Sequence, residues 1–134
     1  VMAVDDSGTN LETLSRILES AGARCIACGS GAAAVEKARA EAAAIDLILM
    51  DLQMPEMDGC EASTVIRRIP EARSVPILAL TAGATTTEKD RALAVGMSDF
   101  LTKPMDAERL IRTVRRHVEA YRGKAPLPRA AQPA

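Results

Sequence analysis

Short apolar runs alternate with longer amphipathic stretches along the whole chain. The apolar runs predict strands over residues 1–4, 24–28, 46–50, 77–80 and 99–102. Each is followed by helical spacing of apolar residues, as in the run Leu11, Leu14, Ile17, Leu18 and Ala21. Apolar strands separated by helices are typical of a parallel sheet that is covered on both faces. The pattern therefore predicts a doubly wound α/β fold.

Capping and breaking residues set the expected limits of the helices. Thr9 and Glu12 have the spacing of a capping box, so we expect the first helix to begin there and to end at Gly22. The later helices are expected over residues 31–41, 62–69, 88–95 and 110–121. Beyond them the sequence RGKAPLPRAAQPA is rich in Pro and Ala and has no apolar period. We therefore predict one domain over residues 1–121 and a linker or disordered tail over residues 122–134.

Composition and charge exclude several classes of function. The 134 residues are 48% hydrophobic and 26% charged, which fits one globular domain. A net charge of −1 and an aromatic share of 1% argue against direct contact with nucleic acid. No apolar run approaches the roughly 18 residues of a membrane span, and no signal peptide is present. We expect a cytoplasmic domain with no membrane contact of its own, cut from a parent protein that a membrane could anchor.

The three cysteines suit a reducing compartment. Cys25 and Cys28 form a CxxC pair, and Cys60 stands apart. In a strand the alpha carbons of Cys25 and Cys28 would lie about 10 Å apart, whereas a disulfide needs about 5.5 Å between alpha carbons. A second ligand pair for zinc is also missing. We therefore interpret them as small residues of the core.

Polar side chains follow four of the five predicted strands. Asp5 and Asp6 follow the first strand, Asp51 the third, Thr81 the fourth and Lys103 the fifth. Singly, each could be a helix cap, a turn residue or a solvated side chain. Together they would meet at one sheet edge, where three carboxylates repel unless a cation such as Mg²⁺ stabilises them. A carboxylate there can attack phosphorus, while the hydroxyl and the ammonium balance the phosphoryl charge.

Four motifs resemble those of the response regulator receiver family of two-component signalling. They are VDDSGTN at 4–10, LMDLQMPEMDG at 49–59, LTAG at 80–83 and GMSDFLTKP at 96–104. The resemblance covers about residues 1–120. The sequences of the motifs are most similar to those in receivers of hybrid sensor histidine kinases. It implies a flavodoxin-like (βα)5 fold with a five-stranded parallel sheet in the order 2-1-3-4-5.

The resemblance also implies a role for each site residue. Asp51 would be the phosphoacceptor. A Mg²⁺ ion, or Mn²⁺, would be held by Asp5, Asp6, Asp51 and the backbone carbonyl of Gln53.

The resemblance further implies a conformational switch. Thr81 would be the switch hydroxyl, Lys103 would pair with the phosphate, and Phe100 lies at the position of the switch aromatic. Phe100 is equally well explained as a core residue of an edge strand. In the switch, phosphate draws Thr81 inward, the ring fills the vacated space, and the surface of the fourth helix, fifth strand and fifth helix changes.

The expected partner is a histidine kinase or a histidine phosphotransfer domain. A homodimer of receivers is a further possible assembly. The lone histidine, His117, lies on the last predicted helix without kinase-like surroundings, so the phosphodonor is expected on another domain or protein. The domain would phosphorylate and dephosphorylate only itself. Its parent could be a hybrid histidine kinase.

Two other functions remain as alternatives. A haloacid-dehalogenase-like phosphatase uses a similar set of residues, but it places a second Asp where this chain has Gln53. A receiver-like interaction module that no longer takes phosphate would not need the set of Asp, Thr and Lys residues that this chain keeps.

Overall fold

The computed structural model describes residues 1–52, 54, 57–81, 86–102 and 106–124. Gln53, Lys103 and residues 125–134 of the predicted tail lie outside the described residues. The strands are β1 (Met2–Val4), β2 (Ile26–Cys28), β3 (Ile48–Asp51), β4 (Ile77–Thr81) and β5 (Asp99–Thr102). The α-helices are α1 (Gly8–Ser20), α2 (Gly31–Glu41), α3 (Gly59–Arg67), α4 (Thr86–Ala94) and α5 (Ala107–Lys124). Short 3₁₀ helices occupy Ala42–Ala44 and Pro70–Ala72.

All neighbouring strands are parallel, and the sheet has the order β2-β1-β3-β4-β5. The predicted doubly wound, flavodoxin-like fold and its strand order are therefore confirmed. In the register, Val4 lies opposite Met50, and Asp51 lies opposite Leu80. The carboxyl ends of β1, β3 and β4 consequently meet at one edge of the sheet, which is where this topology places ligands.

The core has two layers, one on each face of the sheet. Alternate residues of β1 divide between them: Met2 and Val4 join the layer under α2 and α3, while Ala3 joins the layer under α1 and α5. Cys28 belongs to the first layer and Cys25 packs against the second, so the two thiols lie on opposite faces. All three cysteines are present as thiols, and burial raises the pKa of Cys28. Among the described residues, no helix is long and apolar enough to cross a membrane.

The predicted start of the first helix is wrong. The N-cap of α1 is Ser7, whose backbone is extended and whose Oγ accepts a hydrogen bond from the Asn10 N–H at 3.3 Å. Ser7 caps the helix two residues earlier than Thr9 and leaves Thr9 and Glu12 inside the helix. A capping box is present at α3, between Asp58 and Glu61.

Other boundaries differ by a few residues. β1, β2 and β3 begin one or two residues later than predicted, and β3 includes Asp51. α4 begins at Thr86, two residues before the predicted start, and α5 continues to Lys124. Strand ends depend on pairing with neighbours, which hydropathy does not report.

One arginine joins three segments at the amino-terminal side of the sheet. The guanidinium of Arg67, at the end of α3, donates to the carbonyl oxygens of Gly96 at 2.7 Å, Val75 at 2.6 Å, Ala72 at 3.0 Å and Arg73 at 3.2 Å. Burial lowers the pKa of Arg67, but a guanidinium stays charged in proteins. Its planar fork therefore ties α3 to the segment before β4 and to the turn before β5.

We expect Arg67→Lys to lower the free energy of unfolding by about 2 kcal/mol or more. A lysine ammonium has three donors on a single nitrogen and cannot span both segments as the guanidinium fork does, so some carbonyls lose charge-assisted bonds. Denaturant unfolding would measure the change. Arg68→Lys, at the exposed next position, is the matched control and should change stability by less than about 0.5 kcal/mol. Equal midpoints for the two variants would contradict this role.

The start of α3 lies directly against the end of β3. A Cβ added at Gly59 would lie 2.2 Å from the backbone oxygen of Asp51, closer than atoms can approach. The Gly59 N–H also donates to the Leu52 carbonyl at 3.3 Å. Position 59 thus has no room for a side chain. Gly59 allows α3 to approach β3, the strand that carries Asp51, this closely.

We expect Gly59→Ala to destabilise the fold by about 1–3 kcal/mol, because the added methyl must displace backbone. The matched control is Gly8→Ala, at the first residue of α1, where an added Cβ would meet nothing within 4 Å. That control should be neutral or stabilising by up to about 1 kcal/mol. Thermal unfolding of both variants tests the claim, and a neutral Gly59→Ala would refute it.

Candidate functional site

Three carboxylates meet at the carboxyl edge of the sheet. Asp5 and Asp6 directly follow β1, and Asp51 is the last residue of β3. One carboxylate oxygen from each lies within 4.8 Å of the other two. Asp5 is 1% exposed and Asp51 is 4% exposed, while Asp6 is open to solvent. The structure therefore brings together the three carboxylates that the sequence predicts to meet.

The first turn of α1 fixes the orientation of Asp5. One carboxylate oxygen of Asp5 accepts from the Ser7 N–H at 2.9 Å, and the other accepts from the Asn10 side-chain amide at 3.2 Å. The Asp5 N–H donates to the Cys28 carbonyl at 3.1 Å. The motif VDDSGTN contains both partners, but the pattern of residue types does not reveal their role.

The donor set fits a hard divalent cation. Like charges so close together, two of them on buried side chains, repel strongly, and a cation is the simplest way to stabilise all three while ionised. Carboxylate oxygens are the ligands that Mg²⁺ prefers, and the exposed side of Asp6 leaves room for the waters that this ion keeps.

Thr81 and Phe100 lie on the two strands beyond Asp51. Thr81 ends β4, one position past the Leu80 that faces Asp51, and it is 2% exposed. Phe100 lies on β5 opposite Ala79, and its ring is half-buried. The predicted contributions of Gln53 and Lys103 fall outside the described residues, so those two remain predictions.

The segment that follows Asp51 is tied to α4. Asp58 caps α3 by accepting from the Glu61 N–H at 2.9 Å, and its other oxygen accepts from the Arg91 guanidinium at 2.8 Å. Burial by itself would raise the pKa of Asp58, but the Glu61 N–H and Arg91 outweigh it and hold the pKa below its ordinary value. The D-x-x-E spacing could have revealed the cap, whereas nothing local reveals the pairing with Arg91.

His117 lies away from the three carboxylates, in α5 beside Asp99. Its Nε2 is 3.2 Å from an Asp99 oxygen, and the Arg116 guanidinium lies 3.0 Å from the same oxygen. The histidine thus belongs to a polar cluster between β5 and α5.

Curated relatives of the chain include sensor proteins and histidine kinases. The chain is 46% identical over 110 residues to the signal transduction histidine-protein kinase BarA of Shigella flexneri, covering 82% of this chain and 12% of that protein. It is 44% identical over 117 residues to the sensor protein GacS of Pseudomonas syringae pv. syringae, covering 85% of this chain and 13% of that protein. The chain therefore spans about an eighth of the length of these curated relatives.

A solved structure with a similar fold is the receiver domain of the sensor histidine kinase PA1611 from Pseudomonas aeruginosa. It superposes with a TM-score of 0.81 at 35% identity, covering 88% of this chain and 95% of that one. That structure holds a magnesium ion coordinated in its active-site cleft.

The model of the response regulator receiver domain family matches residues 1–115, which include all five strands. The predicted resemblance to the receivers of hybrid sensor kinases is confirmed by the relatives, which are histidine kinases with a matching stretch. On this match, the sheet topology and the carboxylate cluster, the chain belongs to the response regulator receiver family of two-component phosphorelay proteins.

Proposed function

We propose that this domain takes a phosphoryl group from a phosphohistidine onto the carboxylate of Asp51. The observation that carries the proposal is the cluster of Asp5, Asp6 and Asp51, whose oxygens lie within 4.8 Å of one another at the sheet edge. Membership of the receiver family supports the same reaction.

The transfer needs one bond to form and one to break. An oxygen of Asp51 attacks phosphorus, and the bond from phosphorus to the imidazole nitrogen breaks with its electron pair going to the nitrogen, which later takes up a proton. The product is an acyl phosphate on Asp51. Because the Asp51 side chain is 4% exposed, the protein rather than bulk water surrounds the nucleophile.

Asp5, Asp6 and Asp51 would hold Mg²⁺, with the backbone carbonyl of Gln53 as a further protein ligand. The ion, when bound, neutralises charge on the carboxylates and on the phosphoryl oxygens. We propose magnesium rather than manganese, because the receiver of PA1611 holds magnesium. Lys103 would pair with the phosphoryl group, and Thr81 would donate its hydroxyl hydrogen to it.

The output would be a population shift. Phosphate on Asp51 would draw Thr81 inward, the ring of Phe100 would fill the space, and the surface of α4, β5 and α5 would change. Its extent is limited by the difference in affinity of the phosphoryl group for the two conformations.

The partner would be a histidine kinase or a histidine phosphotransfer domain, as the kinase relatives indicate. The parent protein would be a hybrid histidine kinase. We place the domain in the cytoplasm, where its three thiols stay reduced. A receiver homodimer stays a prediction.

We expect the wild-type chain to gain one phosphoryl group after incubation with Mg²⁺ and acetyl phosphate, and Asp51→Asn to gain none. Intact mass spectrometry measures both, and hydroxylamine should remove the group because it cleaves acyl phosphates. If wild type gains nothing from acetyl phosphate or from a phosphorylated histidine donor, the phosphate-independent interaction module becomes the better explanation. Turnover of small phosphoesters would instead favour the phosphatase.

We expect Asp6→Asn to weaken Mg²⁺ binding about tenfold or more, since attraction between charges a few ångströms apart is worth a few kcal/mol near a protein surface. When a chelator removes the metal, the variant should also unfold at a higher temperature than wild type, because one of the three repelling charges is gone. Titration calorimetry and thermal unfolding measure the two effects. Glu71→Gln, an exposed carboxylate before β4, is the control and should change neither. Unchanged Mg²⁺ affinity in Asp6→Asn would exclude Asp6 as a ligand.

A further inference from the structure

A lysine on α4 lies over the aromatic ring of β5. The Nζ atom of Lys89 is 5.4 Å from the centroid of the Phe100 ring. Lys89 is exposed, and the half-buried ring packs against the core layer under α2 and α3. The sequence pattern predicts a role for Phe100 but gives no reason to single out Lys89.

We propose that Lys89 is a positioning residue that holds the Phe100 ring in the position seen in this structure. It would thereby set how readily Asp51 takes a phosphoryl group or binds a phosphoryl analogue. The inference rests on the proposed function, because it concerns the state of the ring that accompanies phosphorylation. It adds to that function a residue that controls its equilibrium.

The physical basis is the attraction between an ammonium and the face of an aromatic ring. Such a contact operates within about 6 Å of the ring centroid, and the distance here is 5.4 Å. An inward movement of the ring toward Thr81 would take its face away from the exposed lysine. The contact therefore stabilises one arrangement of the ring and not the other, which is the condition for shifting the equilibrium.

The position of Lys89 is itself defined by a neighbouring ion pair. Arg91, two residues further along α4, binds Asp58 at the N-terminus of α3 at 2.8 Å. Asp58 also accepts from the Glu61 N–H, so α4 is attached to an ordered helix end. Lys89 thus reaches Phe100 from a helix that a second contact joins to the start of α3.

The test is the affinity for beryllofluoride, a phosphoryl analogue, in the presence of Mg²⁺. Lys89→Gln removes the charge and should raise the affinity two- to fivefold, the range that an exposed contact of this kind supports. Lys89→Arg keeps a cation over the ring and should match wild type. Lys37→Gln, on α2 beside Glu41, loses the same charge elsewhere and should leave the affinity unchanged.

A second background identifies the ring as the partner. In Phe100→Leu, adding Lys89→Gln should have no further effect on beryllofluoride affinity. In wild type, ring current should shift the proton resonances of the Lys89 side chain upfield, and beryllofluoride should remove that shift.

Three outcomes would overturn the role proposed for Lys89. If wild type binds beryllofluoride but Lys89→Gln binds it with unchanged or lower affinity, the role of Lys89 is overturned while the phosphoacceptor site stands. An effect of Lys89→Gln that persists in Phe100→Leu also overturns it. A wild-type chain that binds no beryllofluoride overturns the proposed function and this inference together.

Discussion

Repulsion among Asp5, Asp6 and Asp51 is the constraint around which the site is built. Their oxygens lie within 4.8 Å of one another, and burial of two of these side chains weakens the screening by water. The fold holds them there by local means: the first turn of α1 binds Asp5, and the close approach of Gly59 fixes the end of β3. The chemistry of this cluster fits a cation, which would offset the repulsion among the carboxylates.

The same arrangement connects the site to the rest of the molecule. The backbone of Asp51 touches α3 at Gly59, and the adjacent Asp58 pairs with Arg91 of α4. On the other side, Thr81 ends the neighbouring strand, and Phe100 meets Lys89 of α4. Asp58 and Phe100 thus both contact α4, each through a different basic side chain of that helix.

Much of the fold follows from local pattern. Apolar strands and amphipathic helices predict the doubly wound sheet, and the order of the strands explains why Asp5, Asp6, Asp51 and Thr81 share one edge. Local pattern predicts the ends of helices less well than their presence, because several residues near an end could act as the cap. Thr9 has the right spacing, but Ser7 takes the extended conformation and the hydrogen bond.

The sequence by itself determined the class of fold, the candidate phosphoacceptor and the acidic residues beside it, because hydrophobic period and motif spacing are local properties of the chain. Only the tertiary structure decided which distant groups meet. Arg91 reaches Asp58 across 33 positions and Arg67 reaches Gly96 across 29, and neither pair carries a local signature. Such contacts depend on how helices settle on the sheet, which is fixed by packing of the whole core.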